Sequence, residues 1–496
     1  MKNHPPSSKT REERFENYLS LLSRELDHAD RIKPFRNYLA GLLLQGERKS
    51  IEPIAARIDP RQVCAKHQSP HHFIAVAAWN DRAILRAICQ YALPVLLHLG
   101  KVESWVIDDT GFPKRGQHSV GVERQYCGQL GKTENCQVAV SLTVSHRLAS
   151  LPVAFDLYLP KRWAYDWARH KKAGVPREIK FHTKREIALA QIDAAITAGL
   201  PRGIVNADVA YGNDTDFREE LTARKLRYAV GIQSTTTVWP PGKGPLPPKA
   251  SNQGKRPKLL RRDAEHQPVT ARQLADQLGR DCFRQVTWRE GARGQLRSHF
   301  CVRRVRPAHL DYRRETPRAE EWLLIEWPLA ERDPTKYWFL TLSRQASLRK
   351  LVDTAKGRWP IEADYENLKA VGLGDYEVRG WRGFHHHATM SIAAYAFLIG
   401  ERGLFSLRRN RRTAGCALPR ISRGERSCRS ANTSGATQPN IDCDYANRIE
   451  RCNGEAHPPM SVLPKIQRSH VIISKEIREF CDTVVLVRNH VVLCDF

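Results

Sequence analysis

The chain has no run of eighteen or more apolar residues, so nothing in its hydropathy calls for a membrane span. Its basic start, MKNHPPSSKTREERFENY, has no apolar segment behind it, which argues against a secretory leader and makes the cytosol the expected location. Without such a leader, the twelve cysteines are not expected to form a disulfide framework. No C-x2-C pair occurs, and Cys127 and Cys136 stand too far apart for a zinc knuckle. Acidic residues are scarce: 53 Asp and Glu face 80 Lys and Arg, a net charge of +27 over 496 residues. Such a field attracts polyanions, and nucleic acid is the first candidate, although a merely solvated basic surface has the same arithmetic. No basic amphipathic helix stands alone, which disfavours a membrane surface. With 41% hydrophobic and 27% charged residues the chain is neither wholly disordered nor collagen-like, and its length allows two to four domains.

Residues 11–100 carry helical stripes, among them Tyr18, Leu21, Leu22 and Leu26, then Tyr38, Leu39, Leu42 and Leu43. A third stripe, Ile84, Leu85, Ile88, Tyr91 and Val95, contains Pro94, which predicts an end or a kink. Arg31, Lys33, Arg36, Arg48, Lys49, Arg57 and Arg61 lie between the stripes. This pattern serves a DNA-binding module and a bundle with a solvated basic face equally well. From Val102 the pattern turns to short apolar strands (102–107, 136–144, 149–157, 203–207 and 228–232) alternating with helices at 184–198 and 217–224. That alternation predicts an α/β sheet. A Pro- and Lys-rich loop at 239–263 opens a strand-rich insertion, and helical periodicity returns at 348–369 and 387–401, with Gly403 in a C-cap position. The expected parts are a helical segment, 1–100; the first part of the core, 101–235; a β-rich insertion, 236–345; the helical end of the core, 346–402; and a low-order basic tail, 403–496. That tail reads either as a further DNA contact or as read-through coding.

Three acids stand out by placement. Asp109 and Asp208 each end a strand-like run, and Glu362 begins a helix. Each taken alone is an ordinary turn former or a favourable charge at a helix start. Taken together, carboxylates at the ends of adjacent strands converge, and a crossing helix adds a third. Magnesium, a hard cation, favours such oxygens, and phosphoryl transfer by two ions needs them. Paired carboxylates also suit glycoside hydrolysis, which has no use for the surplus positive charge. Arg358, Glu362 and Lys369 fall within roughly 40° of one another on an unbroken helix. That face suits a metal and phosphate site or a salt-bridged surface, and Pro360 can turn Arg358 away. Consecutive His385, His386 and His387 diverge by about 100° each on a helix, so one ion cannot take all three and structural roles come first. Trp239 and Trp322 are expected in the core before any base-stacking role.

At these residues the chain resembles a known family. WVIDDTGFPKRGQHSVGVERQYCGQLGKTENCQVAVSL (105–142), VNADVAYGNDTDFREEL (205–221) and RWPIEADYENLKAVGLGDYEVRGWRGFHHHATMSIAAYAFL (358–398) are similar to blocks of bacterial IS701 family insertion-sequence transposases. The similarity spans roughly residues 15–402. It implies a DDE transposase with an RNase H-like core, an α/β fold. The acids would be Asp109 (with Asp108 as rival), Asp208 and Glu362 (with Glu366 as rival). It also implies two Mg2+ or Mn2+ ions held by those acids, and phosphate contacts from Arg358 and Lys369. Of the related Tyr-x2-Arg-x3-Glu-x6-Lys signature only the Tyr is missing, replaced by Ala355. The implied partners are double-stranded DNA, as transposon ends and target, and a second copy in the DNA complex. The implied location is the bacterial nucleoid. The opposing expectation is a transposase-derived DNA-binding protein that has lost activity.

Overall fold

The computed structural model describes residues 10–58, 60–61, 63–146, 148–249, 257–291 and 294–415. Of the segment expected to be a low-order tail, everything beyond residue 415 lies outside the described residues. Five helices come first: α1 (Arg11–Ser23), α2 (Ile32–Leu43), α3 (Ile51–Ile58), α4 (Val63–Ala75) and α5 (Asp81–Leu99). Thr10 and Glu13 close a capping box on α1, and the Asn80 side chain accepts the Ala83 N–H at the start of α5. Pro94 lies inside α5 and does not end it.

The chain then forms β1 (Ser104–Pro113), β2 (Glu123–Cys127), β3 (Lys132–His146) and β4 (Ala149–Leu157). After the helices α6 (Lys161–Ala164), α7 (Trp167–Lys172) and α8 (Lys184–Thr197) come β5 (Ile204–Ala207), α9 (Val209–Gly212), α10 (Thr215–Ala223) and β6 (Tyr228–Ile232). The next stretch holds β7 (Thr237–Trp239), β8 (Val269–Thr270), α11 (Ala271–Leu278), β9 (Arg284–Gly291), β10 (Gly294–Pro307), β11 (Glu321–Glu326) and β12 (Lys336–Leu340). Helices α12 (Leu348–Ala355), α13 (Pro360–Ala370) and α14 (Trp381–Gly415) complete the described chain.

All of these strands join one mixed sheet in the order β2-β3-β1-β5-β6-β12-β11-β10-β7-β8, with β4 on β3 and β9 on β10. Strands β1, β5 and β6 are parallel, and β3 and β12 flank them antiparallel. The strand-rich insertion therefore extends the central sheet instead of forming a separate one. Trp239 is fully buried, with its indole N–H on Asp311, and the Trp322 indole donates to the Ser343 carbonyl. Trp239 is in the core as expected, whereas Trp322 is only partly buried at the edge of a hydrophobic cluster. Cys127 and Cys136 are buried free thiols. Among the described residues no helix is long and apolar enough to cross a membrane.

Helix α14 is buried on nearly every side from Phe384 to Ile399, which requires cover all round. Helices α5, α2 and α4 and strand β4 provide it. The histidine run ties these layers together. His386 stacks on Trp79 at 3.6 Å, and its ring nitrogens lie 3.0 Å from the Ile74 and Trp79 carbonyls. Burial pushes its pKa down to about 3, so the ring is neutral and donates to one carbonyl at a time. His387, pushed down to about 4 by burial, accepts from the Tyr38 hydroxyl and donates to the Gly372 carbonyl, both at 2.8 Å.

Gly403 is not a C-cap: α14 runs through it to Gly415. A Cβ on Gly403 would lie 2.2 Å from Val95 Cγ1, and one on Gly400 would lie 2.6 Å from the Tyr91 hydroxyl. These glycines let α14 and α5 approach closely. Gly403→Leu is therefore expected to lower unfolding stability by about 1–3 kcal/mol through overpacking. Urea denaturation reads this directly, and an unchanged midpoint would mean that α5 yields freely.

Candidate active site

Strand β1 carries Asp108 and Asp109 in its middle. It pairs in parallel with β5 through Ser104–Ile204, Trp105–Val205 and Val106–Asn206. Continuing that register brings Asp108 level with Asp208, the residue at which β5 has just ended. Asp208 turns the chain into α9 by accepting the N–H groups of Ala210 at 2.9 Å and Tyr211 at 3.3 Å, both on Oδ1. Gly212 lets that short helix lie against β6, since a Cβ there would sit 2.2 Å from the Gly231 carbonyl oxygen.

The third carboxylate arrives on α13. Pro360 occupies its first turn, and Arg358 belongs to the tight 3-10 turn just before it. Arg358 still faces the acids: Nη2 lies 2.8 Å from Asp108 Oδ2 and Nη1 lies 3.8 Å from Glu362 Oε1. Burial works against its charge. The carboxylates of Asp108, Glu362 and Asp208 outweigh that and hold it more firmly protonated than usual. Asp109 has a different partner, the Lys184 ammonium, with Nζ 2.5 Å from Oδ2.

The electrostatics are those of crowded carboxylates. Asp108 is pushed up to about 7, first by burial and then by Asp109 and Asp208, with Arg358 pulling it back. Asp208 is raised by burial and by Asp109, against Arg358 and its two N–H bonds. The Glu362 side chain is 61% exposed by area, yet loss of solvent around its carboxylate still raises it, against Arg358, Arg289 and Lys336. Asp108, Asp109 and Asp208 thus lie within electrostatic reach of one another, and Arg358 links Glu362 to them. The acids are gathered around two protein cations. Among the described residues no group of three or more His, Cys, Asp or Glu is close enough to hold a metal ion as placed.

Residues 21–295, more than half of the chain, match the family model of the DDE superfamily endonucleases. The chain belongs to that family. Over 205 residues it is also 30% identical to a probable transposase for insertion sequence element IS701 from Microchaete diplosiphon. That alignment covers 41% of this chain and 50% of the relative, so the chain spans about half the length of that protein. A piggyBac transposase synaptic complex with hairpin DNA, 9% identical, covers 100% of this chain and 76% of that one at a TM-score of 0.36, too low to equate the folds.

Within this DDE superfamily endonuclease the family match contains Asp108, Asp109 and Asp208 but stops before Glu362. Among the described residues it is Arg358 that ties Glu362 to the others. Lys369 does not share their surroundings: burial lowers its pKa, and the carboxylate acting on it is Glu366. Arg358 keeps its i, i+4 pairing with Glu362 across the Pro360 turn, so of the three residues expected on one face it is Lys369 that stands apart. Glu366, the rival third acid, is exposed further along α13.

Sequence reasoning missed Lys184, whose only signal was its place beside a helix cap 75 residues from Asp109. It also missed Asp364, which is buried on α13 and accepts from the Ser150 hydroxyl at 2.5 Å and the Tyr395 hydroxyl at 2.6 Å. With Tyr365 bonded to Ser141 at 2.7 Å, these contacts fix the helix that carries Glu362.

Because Asp108 has a raised pKa, the folded protein keeps a proton that the unfolded chain releases between about pH 4 and 7. Its contribution to stability therefore falls as pH rises through that window. Asp364, raised to about 6 by burial, acts in the same direction. Asp108→Asn is expected to flatten the fall. Urea midpoints from pH 4 to 8 test this, and identical slopes for the two proteins would refute it.

Proposed function

We propose that this endonuclease is a DNA transposase that cuts at the ends of an insertion sequence and joins the freed 3′-OH to target DNA. The observation that carries this reading is Arg358, which bridges Asp108 and Glu362 while Asp208 lies within reach of its charge. Three separate chain segments thus bring carboxylates to one cationic point. The parallel β1-β5-β6 order flanked by antiparallel β3 supports an RNase H-like core. In this reading the core comprises 101–235 and 346–402, interrupted by the insertion 236–345, and 1–100 is a DNA-binding helical segment.

Asp109, Asp208 and Glu362 are the proposed ligands for two divalent cations, Mg2+ or Mn2+, with Asp108 as the rival of Asp109. Their oxygen chemistry fits a hard cation, and the burial and, after it, the mutual repulsion that raise Asp108 and Asp208 are what a cation would offset. When bound, such ions supply positive charge at the attacking and leaving oxygens of a phosphodiester. The chain's own groups orient the substrate. Arg358 takes a phosphate oxygen by charge, Lys369 contacts the backbone further along, and Asp364 and Tyr365 hold α13 in place. Water, losing a proton, adds to phosphorus while the bond to the 3′ oxygen breaks, and that oxygen takes up a proton as a free hydroxyl. The hydroxyl then attacks a target phosphorus in line, loses its proton, and displaces the target strand's own 3′ oxygen, which leaves as a hydroxyl. The proposed partners are double-stranded DNA, at the element ends and at the target, and a second copy of the chain within the nucleoid.

The test incubates full-length protein with labelled duplexes ending in the element's termini, with Mg2+, with Mn2+ or with chelator. Nicks bearing a 3′-OH, and joined products, are expected only with the ion. Cleavage that persists in chelator, or binding with no cleavage under any condition, would overturn the reading.

A further inference from the structure

Each of the two adjacent acids on β1 has its own protein cation, and the two cations differ in kind. Arg358 reaches two carboxylates with a rigid fork and is held between them. Lys184 is a point charge on a flexible stem, its side chain 30% exposed, with its ammonium on Asp109 Oδ2 and 5.8 Å from the centre of the Tyr158 ring. The position of Lys184 is fixed by a capping box. The Thr183 hydroxyl accepts the Glu186 N–H at 3.3 Å, and the Glu186 carboxylate accepts the Thr183 N–H at 2.7 Å. Lys184 thus occupies the first position of α8, where the helix dipole disfavours a positive charge. Asp109 compensates for a lysine placed there.

We infer that Lys184 is the exchangeable counter-ion of Asp109: it holds that carboxylate in place when no divalent cation is present and gives way when one binds. Arg358 is too firmly held to do this. Once displaced, the Lys184 ammonium remains within a side chain's length of the site, where it can take an outer oxygen of the DNA phosphate. Lys184 is thus a positioning residue. The inference rests on the reading of Asp109 as a metal ligand.

The experiment measures Mn2+ uptake by the full chain without DNA, from the loss of the free-ion electron paramagnetic resonance signal. Wild type, Lys184→Met, Lys184→Gln, Lys184→Arg and Asp109→Asn are compared, each checked for folding by its melting transition. Removing the competing charge is expected to tighten Mn2+ binding about tenfold in Lys184→Met and Lys184→Gln. Lys184→Arg, which keeps the charge, should bind like the wild type, and Asp109→Asn should bind more weakly. Two neutral variants that differ in polarity keep a folding fault in one from deciding the result. If Asp109→Asn weakens binding while both neutral variants match the wild type, the inference fails and the metal reading stands. If Asp109→Asn binds as the wild type does, Asp109 is not a ligand, and the inference fails together with the reading beneath it.

Discussion

Asp208→Ala is expected to reduce DNA cleavage by about a thousandfold or more while leaving DNA binding close to wild type. The residue does two things, and they can be separated. Its charge faces Arg358 and Asp109, and its Oδ1 caps α9 through the Ala210 and Tyr211 N–H groups. Alanine removes both, and loss of the cap costs about 1 kcal/mol of stability. Asp208→Asn keeps an acceptor oxygen for the cap and removes only the charge. Both variants should be inactive, and only the alanine should unfold earlier in urea. Glu362→Gln should be equally inactive with no loss of stability, because its side chain is largely exposed. Normal cleavage by Glu362→Gln would move the third carboxylate to Glu366. Normal cleavage by Asp208→Asn would remove Asp208 from the chemistry and leave it only a cap. The same gel comparison of Asp108→Asn with Asp109→Asn decides between the neighbours on β1.

The second large effect is that of salt. With a net charge of +27 the protein is expected to hold DNA chiefly by neutralising phosphates and releasing their counter-ions. If six to ten phosphates are neutralised, raising salt from about 50 to 200 mM should weaken binding roughly a thousandfold or more. Fluorescence anisotropy on a labelled duplex measures the slope. A flat response would remove DNA as the partner. Arg358→Ala should change this slope by about one charge at most, yet suppress cleavage strongly, because Asp108 and Glu362 would lose the cation between them. Lys369→Ala should lower cleavage less, since Glu366, rather than the acid cluster, acts on its charge.

Much of this arrangement was legible in the residues. Runs such as Ala149–Leu157 and Tyr228–Ile232 coincide with β4 and β6, because apolar and β-branched residues bounded by turn formers leave few alternatives. Asp208 was recognisable because a strand visibly stops before it. Asp109 was harder to place: β1 continues through both acids to Pro113, so no strand end distinguishes Asp109 from Asp108. Gly403 was misread because a glycine beyond an apolar stripe looks the same whether it ends a helix or admits a neighbouring one. Only the position of Val95 decides which it is. The Lys184–Asp109 pair is a long-range contact of two commonplace residues, and no local pattern encodes it. The short β7 and β8 escaped notice because their ladders depend on partners far away in sequence, and β2, although it pairs locally with β3, is too polar to show an apolar run.

The way the insertion joins the sheet has a consequence for how such chains can lengthen. The chain leaves the central sheet after Ile232, and the last strand of the stretch that follows, β12, comes back beside β6 with Tyr337 paired to Ile232. Exit and re-entry therefore share a doorway about one strand spacing wide, roughly 4.8 Å. Anything built between them, whether a hairpin, a helix or a longer excursion, hands the chain back at the same threshold with the same heading. Since the cost of closing a longer excursion grows only with the logarithm of its length, residues can be gained or lost there cheaply. The stretch between Asp208 and Glu362 can thus change in length without moving β12 away from β6. The heading with which β12 re-enters is not free in this way, because the doorway, rather than the path taken beyond it, sets where the following helices, α12 and α13, begin.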